Sequence, residues 1–196
     1  MAFSVAMDGA VAKEDDALAD LSQRVAEGDS TAIVLLYNEY HVHVRAFARR
    51  LLGDVALAED LVHEVFLAAP KAFCLYRGEC SVRSYLVSIA AGRAKHLIRA
   101  AARRRALETR LAREERPPPS GPAEHAERHE LAARLNRAMD SLTTEHRVAF
   151  VLCEVEERSS VEVASLLGEK DGTIRARVFH AKKKLREWFE NDGGVA

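Results

Sequence analysis

The chain has few residues of the kinds that stabilise secreted proteins or cross membranes. Three cysteines, Cys74, Cys80 and Cys153, stand among 196 residues, and an odd number excludes a framework in which every cysteine is paired. With no recognisable signal peptide, this cysteine usage indicates a reducing compartment, and we expect a cytoplasmic protein. No apolar run of about 18 residues or more occurs, so the sequence predicts no membrane-spanning helix.

Motifs for catalysis and metal binding are also missing. The pair His63-Glu64 begins like the zinc-protease pattern HExxH, but Leu67 stands where the second histidine belongs. His41 and His43 are two positions apart, so on a helix they point to different sides and cannot share a metal ion. No glycine-rich phosphate loop or nucleophile elbow is present. We therefore predict a protein that is not an enzyme, takes no cofactor, binds no metal and has no small-molecule substrate.

Proline and glycine are scarce as well, with five prolines and ten glycines in the chain. Apolar residues recur at helical spacing over most of the sequence, which predicts an all-α fold. The net charge of −1 predicts nothing by itself, because opposite charges are segregated. Residues 140–169 contain seven acids and two arginines, whereas residues 171–186 contain six lysines and arginines and one aspartate.

The composition predicts two small helical domains joined by a flexible linker. Residues 1–16 lack periodicity, and we expect a mobile tail there. Residues 106–130 alternate in charge and include the run Arg-Pro-Pro-Pro-Ser-Gly-Pro, which cannot bury enough apolar surface to order itself. The prolines favour an extended spacer. We therefore place the linker at 106–130, between an N-terminal domain at 17–105 and a C-terminal domain at 131–192.

Helix start and stop signals divide the N-terminal domain. Asp29 or Ser30 is suited to cap one helix, Gly53 to end it, and Asp54 to cap the next. Pro70 is expected to end or kink that second helix, because proline lacks an N–H and clashes with the preceding turn. A loop over residues 73–80 should then lead into a fourth helix that starts at Ser81.

Residues 159–188 predict two helices joined by a tight turn. Ser159 or Ser160 is suited to cap the first helix, Gly168 to end it, and Asp171 to cap the second. Each helix has an apolar stripe, formed in the first by Val161, Val163, Ala164 and Leu167 and in the second by Ile174, Val178, Ala181, Leu185 and Trp188.

The other side of the second helix is basic, with Thr173, Ala176, Phe179, His180 and Lys183 flanked by Arg175, Lys182 and Arg186. Small and flat residues among cations could approach base edges, so this pair of helices is typical of a helix-turn-helix that enters the DNA major groove. The alternative is a solvated basic face on an ordinary helical hairpin.

A second basic stretch lies in the N-terminal domain. Between Arg83 and Arg105 there are seven lysines and arginines and no acid, and Tyr76, Tyr85 and His96 place flat rings among them. Cations for phosphates and rings for unstacked bases are what single-stranded nucleic acid requires. The alternative is that Tyr85 belongs to the core and that the arginines are only solvated.

Three motifs in this order resemble a known family. They are LLGD at 51–54 with AEDLVHEVFL at 58–67, YRGECSVRSYL at 76–86, and residues 141–152 with GTIRARV at 172–178. The chain resembles the extracytoplasmic-function sigma factors, the smallest sigma subunits of RNA polymerase, which consist of sigma region 2 and region 4 and a linker. The resemblance implies an alternative-type sigma factor that binds core polymerase and directs promoter recognition, melting and transcription initiation at a specific regulon.

The resemblance also implies which residues contact each partner. The polymerase-binding residues would be Asp60, His63, Glu64 and Phe66. The −10 element would contact Tyr76, Arg77, Arg83, Ser84, Tyr85, Arg93, Lys95, His96 and Arg99. The −35 element would contact Thr173, Arg175, Ala176, Arg177, Phe179, His180, Lys182 and Lys183.

The expected partners are core RNA polymerase, through its clamp helices and flap, promoter DNA, and an anti-sigma factor that could hold the protein at the inner membrane. One alternative is a stand-alone helix-turn-helix activator of the two-component type. That reading leaves the basic stretch from Arg83 to Arg105 unexplained, and the acidic pocket of a receiver domain is missing. Another is an RNA-binding interaction protein, which predicts salt-sensitive binding that is indifferent to sequence.

Overall fold

The computed structural model describes residues 19–114 and 123–192. All regular secondary structure in these ranges is helical, which confirms the predicted all-α class. The helices are α1 (19–26), α2 (Ser30–Leu52), α3 (Val55–Phe73), α4 (Val82–Glu114), α5 (Ala123–Asp140), α6 (Thr144–Phe150), α7 (Ser160–Leu167) and α8 (Asp171–Asp192), with one π-helical turn at Val151–Val155. None of the helices in the described ranges combines the length and hydropathy that crossing a bilayer requires.

The predicted start and stop signals of α2 and the predicted cap of α3 are confirmed. The Asp29 carboxylate accepts hydrogen bonds from the backbone N–H groups of Thr31 and Ala32 at the start of α2. Gly53 ends α2 in the left-handed conformation, with φ of 63°, which costs glycine little because it has no Cβ. The Asp54 carboxylate then accepts from Leu57 N at 2.9 Å and caps α3.

Pro70 was expected to end or kink its helix, but in the structure the helix ends further along the chain. Helix α3 continues through Pro70 and ends at Phe73. Buried Ala69 and Phe73 on either side of Pro70 hold this last turn against the core. The packing of these side chains therefore outweighs the hydrogen bond that proline cannot donate.

Helices α1 to α4 form the N-terminal bundle, in which α2, α3 and α4 pack against one another. Leu36 and Phe47 of α2, Leu61 of α3 and Leu86 of α4 are among its fully buried side chains. Along α4 the buried stripe continues with small residues, Ala90, Ala94 and Ala101, which let neighbouring helices approach closely. The side of α4 away from this stripe is left for charge.

The predicted linker is largely replaced by helix in the described ranges. Helix α4 extends to Glu114 and α5 begins at Ala123, so both ends of the 106–130 segment are helical. Residues 103–114 contain no proline or glycine and consist mainly of strong helix formers, which explains the extension. The proline run and the predicted tail at 1–16 lie outside the described residues.

Helices α5 to α8 form the C-terminal unit, and its helix-turn-helix is confirmed. The Ser159 side chain accepts from Glu162 N, and the Glu162 carboxylate accepts from Ser159 N at 2.8 Å, so that each residue caps the other. Gly168 ends α7 with φ of 66°. The Thr143 side chain caps α6 by accepting a hydrogen bond from His146 N.

Two predictions for this unit are wrong. Asp171 is the first residue of α8, and its carboxylate accepts from the Ser160 hydroxyl and pairs with Arg175 at 2.9 Å, joining the two helices of the motif. Val161 is exposed, because α7 is only two turns long and buries Val163 and Ala164 instead.

Removal of the Ser159 cap should destabilise the C-terminal unit. We expect Ser159→Ala to lower the free energy of unfolding by about 1 kcal/mol, since an orphan N–H at the helix start loses its acceptor. The matched control is Ser165→Ala in the same helix, where the exposed serine caps nothing and alanine is the better helix former. Urea denaturation measures both variants, and equal losses in the two would contradict the capping role.

Candidate nucleic-acid interface

An aromatic loop connects α3 to α4, and we define it as residues 73–80. The rings of Phe73 and Tyr76 lie 5.4 Å apart, and both pack against Tyr85 of α4 at 5.4 and 4.8 Å. The Tyr85 hydroxyl donates to Ala72 O at 2.7 Å, and the Tyr76 hydroxyl donates to Cys80 O at 2.6 Å. These bonds hold both rings in place before any ligand arrives.

The two tyrosines are half-buried. Their exposure is intermediate between that expected of a stacking platform and that expected of a core residue. Burial raises the pKa of Tyr76 and of Tyr85 above the ordinary value for a phenol. Both rings are therefore uncharged at neutral pH, and a stacked base meets no phenolate.

A cavity of about 310 Å³ lies beside these rings. The N-terminal bundle lines it with Leu75, Tyr76, Arg77, Glu79, Cys80, Tyr85 and Ser88. The C-terminal unit adds Ser165 and Leu166 of α7. The cavity is thus formed by both halves of the chain, which the sequence did not predict.

The basic face of α4 follows the aromatic loop. Arg83, Arg93, Lys95, His96 and Arg99 are all exposed on it, as is Arg77 in the loop. Within the described ranges Arg83, Lys95 and Arg99 form no salt bridge, so their charge can be used on phosphates. Ser84 is different, because its hydroxyl accepts a hydrogen bond from Arg158 of the C-terminal unit at 2.9 Å.

The outward side of α3 is acidic, as predicted from its sequence. Asp60 and His63 are exposed. Glu64 is half-buried and turned toward α4, where its carboxylate contacts His96 Nε2 at 3.1 Å and Arg93 at 3.9 Å. Glu64 therefore joins the acidic side of α3 to the basic face of α4.

Two adjacent apolar residues of α3 have opposite environments. Phe66 is 6% exposed and packs edge-on against Tyr37 at 4.9 Å, so the prediction that it touches a partner is corrected: it supports the surface from within. Leu67 is 82% exposed beside Asp60, His63 and Glu64. The sequence predicted no contact between Leu67 and a partner, although a leucine one turn after Glu64 on the polar side was a usable signal.

Helix α8 presents most of its predicted contact residues to solvent. Arg175, Ala176, Phe179, His180, Lys182 and Lys183 are exposed, and Thr173 is half-buried. Arg177 is 22% exposed and pairs with Glu169 at 2.9 Å, which directs it toward the turn of the motif. Lys182 pairs with Glu154 at 2.6 Å.

A histidine pair supports the exposed side of α8. His180 stacks on His146 of α6 with ring centroids 5.9 Å apart. Burial lowers the pKa of His146, and the neighbouring His180 lowers it further. His146 therefore favours its neutral form more than an exposed histidine does, and its ring packs against His180.

The chain is similar to known protein families and to individual proteins. The family model described as Sigma-70 region 2 matches residues 36–104, and the one described as Sigma-70, region 4 matches residues 132–185. The RNA polymerase sigma factor CarQ of Myxococcus xanthus is 30% identical over 165 residues, which cover 84% of this chain and 93% of that protein. The ECF RNA polymerase sigma-E factor of Escherichia coli K12 is 30% identical over 175 residues, covering 84% and 90%. Among solved structures, CnrH in complex with the cytosolic domain of CnrY matches with a TM-score of 0.60 at 22% identity, covering 90% of this chain and 99% of that one, a likeness of fold.

The opposite environments of Phe66 and Leu67 lead to a stability prediction. Phe66→Ala should lower the free energy of unfolding by about 3–5 kcal/mol, because it leaves a cavity under α3. Leu67→Ala should change it by less than about 0.5 kcal/mol, because its side chain is already in water. Denaturant titrations followed by circular dichroism measure both, and a large loss in Leu67→Ala would contradict its exposed position.

Proposed function

The chain belongs to the extracytoplasmic-function sigma factors of RNA polymerase, and from that premise we propose how its surfaces divide the work of initiation. It binds core RNA polymerase and directs promoter recognition, melting and transcription initiation at its own set of promoters. Sigma factors are non-catalytic initiation factors, and we propose that this chain has no enzymatic activity of its own. We also propose that it acts in the cytoplasm, where the polymerase is.

The observation that carries the division is the position of the aromatic loop. It lies between the acidic side of α3 and the basic face of α4, so that polymerase-binding and DNA-binding surfaces meet at the N-terminal bundle. We assign this bundle to sigma region 2 and the C-terminal unit to region 4, with the domain boundary between α4 and α5.

Asp60, His63 and Leu67 form the proposed docking surface for the polymerase clamp helices. An exposed leucine surrounded by polar residues is the arrangement expected at the centre of an interface, where an apolar anchor is desolvated on binding. Glu64 contributes indirectly, because its contacts with His96 and Arg93 set the position of α4 relative to this surface.

The aromatic loop and the basic face of α4 form the proposed site for the −10 element. Unstacking a base costs a few kcal/mol, and a preformed pocket with ring surfaces and cations offsets that cost. Tyr76 and Tyr85 are held by hydrogen bonds to backbone carbonyl oxygens, so little further ordering is needed. Arg77, Arg83, Arg93, Lys95, His96 and Arg99 would then hold the phosphates of the non-template strand.

Helix α8 is the proposed reader of the −35 element. Arg175, Ala176, Phe179 and His180 would face the base edges from its exposed side, with Thr173 at their margin. Lys182 and Lys183 would contact the DNA backbone. Arg177 would act as a positioning residue, since its ion pair with Glu169 braces the turn between α7 and α8.

An anti-sigma factor is the proposed regulatory partner. Such a partner would act by covering the surfaces assigned to the polymerase, and Leu67 at the outer side of α3 is the apolar group available to anchor it. Because polymerase and the anti-sigma factor would compete for the same leucine, the protein could not bind both at once.

The docking surface can be tested with a matched pair of double variants. Asp60→Ala with Leu67→Ala should weaken core polymerase binding about tenfold or more, because apolar anchors each contribute more than about 1 kcal/mol to an interface. The control is Glu39→Ala with Leu35→Ala, which removes the same types of exposed side chain from α2. Run-off transcription from the promoter of the protein's own gene, titrated with each variant, gives the apparent affinity. Equal behaviour of the two double variants would overturn the assignment to α3.

The melting role of the aromatic loop can be tested at Tyr76. Tyr76→Ala should lower initiation on a duplex promoter by about 5- to 150-fold, corresponding to about 1–3 kcal/mol of base stacking. Tyr76→Phe keeps the ring and loses only the hydrogen bond to Cys80 O, so it should retain most activity. On a template with the −10 region already unpaired, the loss in Tyr76→Ala should shrink. The same loss on duplex and pre-melted templates would show that Tyr76 acts elsewhere than in melting.

A further inference from the structure

We infer that the free chain is closed by a latch between its two halves, and that this latch covers the cavity beside the aromatic loop. The latch consists of Arg50 and Ser84 in the N-terminal bundle and Glu156 and Arg158 in the C-terminal unit. That the covered cavity is a −10 site rests on the proposed function, whereas the latch itself rests on contacts within the chain.

The first contact joins α2 to the segment that precedes α7. Arg50 forms an ion pair with Glu156, whose side chain is only 10% exposed. Arg158, two residues further on, donates to the Ser84 hydroxyl of α4 at 2.9 Å. Alternate residues of one short segment therefore bind two different helices of the N-terminal bundle.

The backbone between these contacts is in an uncommon conformation. Glu157 has φ of 56° and is the one residue other than glycine with positive φ in the described ranges. It lies two residues after the end of the π-helical turn Val151–Val155. A side-chain-bearing residue stays in the left-handed region only where its surroundings hold it there. Glu156 and Arg158 on either side of it are held by the N-terminal bundle, which explains how the conformation is maintained.

A second set of contacts lies at the end of α5. The Asp140 carboxylate accepts from Arg105 Nε of α4 at 2.8 Å and from Arg147 Nη1 of α6 at 3.0 Å. Arg105 also donates to Leu52 O at 2.8 Å, so it connects the bundle with the C-terminal unit. Arg147 is fully buried and depends on Asp140, which keeps that carboxylate in place to receive Arg105.

Closure places α7 over the proposed −10 site. Ser165 and Leu166 line the same cavity as Tyr76, Cys80 and Tyr85. Arg158 donates a hydrogen bond to the Ser84 hydroxyl, which is then not available to DNA. A base entering from that side meets the C-terminal unit. The closed latch should therefore weaken the binding of single-stranded DNA by the free chain.

Promoter geometry requires the latch to open. Elements centred about 25 base pairs apart are separated by about 85 Å of duplex at about 3.4 Å per base pair. Helix α8 of 22 residues is only about 33 Å long at 1.5 Å per residue. Two units in contact cannot reach both elements, so binding to polymerase must separate them.

Charge reversal at the first contact tests the latch. Arg50→Glu and Glu156→Arg should each open the chain, and the double variant should close it again because the ion pair is restored with opposite polarity. The matched control is Arg49→Glu, which reverses the charge of the neighbouring residue. Arg49 pairs with Glu59 inside the bundle at 3.5 Å, so this variant leaves the latch contacts in place.

The first measurement is the rate at which N-ethylmaleimide alkylates Cys80, resolved by peptide mass spectrometry with exposed Cys74 as the internal reference. Burial raises the pKa of Cys80 and the nearby Arg158 lowers it, with burial the larger influence, so opening should accelerate the reaction. We expect each single reversal to raise the ratio of Cys80 to Cys74 rates about two- to fivefold, as loss of one partly exposed ion pair allows. Rates in Arg49→Glu and in the double variant should match the parent chain.

Small-angle X-ray scattering provides a second measurement that does not depend on thiol chemistry. The radius of gyration should rise in both single reversals and return in the double variant. Unchanged Cys80 rates and an unchanged radius of gyration in both single reversals would overturn the latch. An equal increase in Arg49→Glu, or no recovery in the double variant, would also overturn it.

Binding of a single-stranded −10 oligonucleotide without polymerase separates the latch from the proposed function. Arg50→Glu makes the chain more acidic and Glu156→Arg makes it more basic, yet both should bind the oligonucleotide more tightly than Arg49→Glu. Opening in both variants without tighter binding would leave the latch standing and overturn the assignment of the cavity to the −10 element. Tighter binding in Glu156→Arg alone would identify a simple charge effect and count against the covering role.

Discussion

The division of α4 into two surfaces is the constraint on which the rest of the structure depends. Its buried stripe of valine, leucine, isoleucine and alanine, from Val82 to Ala101, packs on α2 and α3 and closes the N-terminal bundle. Cations cannot enter that core without a partner, so Arg83, Arg93, Lys95 and Arg99 must lie on the opposite side. The burial of one side therefore creates the basic face of the other, and the same helix continues to Arg105, where the C-terminal unit attaches.

The surfaces proposed for polymerase and DNA are physically connected. Glu64 of α3 contacts His96 and Arg93 of α4, and Tyr85 of α4 donates to Ala72 O in the last turn of α3. These short contacts join the outer side of α3 to the helix that holds the aromatic loop. Such a connection fits a protein whose DNA binding depends on a partner, and the latch between the two halves supplies the low-affinity state from which that partner releases it.

Much of the architecture could be predicted because its signals are local. The caps at Asp29, Asp54 and Ser159 and the stops at Gly53 and Gly168 depend only on neighbouring residues, and all of them are present in the structure. The misplacements have tertiary causes. Pro70 remains inside α3 because its neighbours are buried. Asp171 does not cap α8, because its carboxylate contacts the Ser160 hydroxyl and Arg175.

Periodicity, caps and motifs are local to the chain, and they were enough to predict the helical class, the helix-turn-helix, the acid-free stretch of α4 and the family. The margins of each buried helix side depend on the packing of neighbouring helices, which is why Phe66 is in the core while Leu67 is exposed. Only the tertiary structure decided that Arg50, Ser84 and Arg105 meet Glu156, Arg158 and Asp140. These pairs are separated by 35 to 106 positions, and nothing in local sequence relates residues that far apart, since their meeting depends on the packing of the two halves.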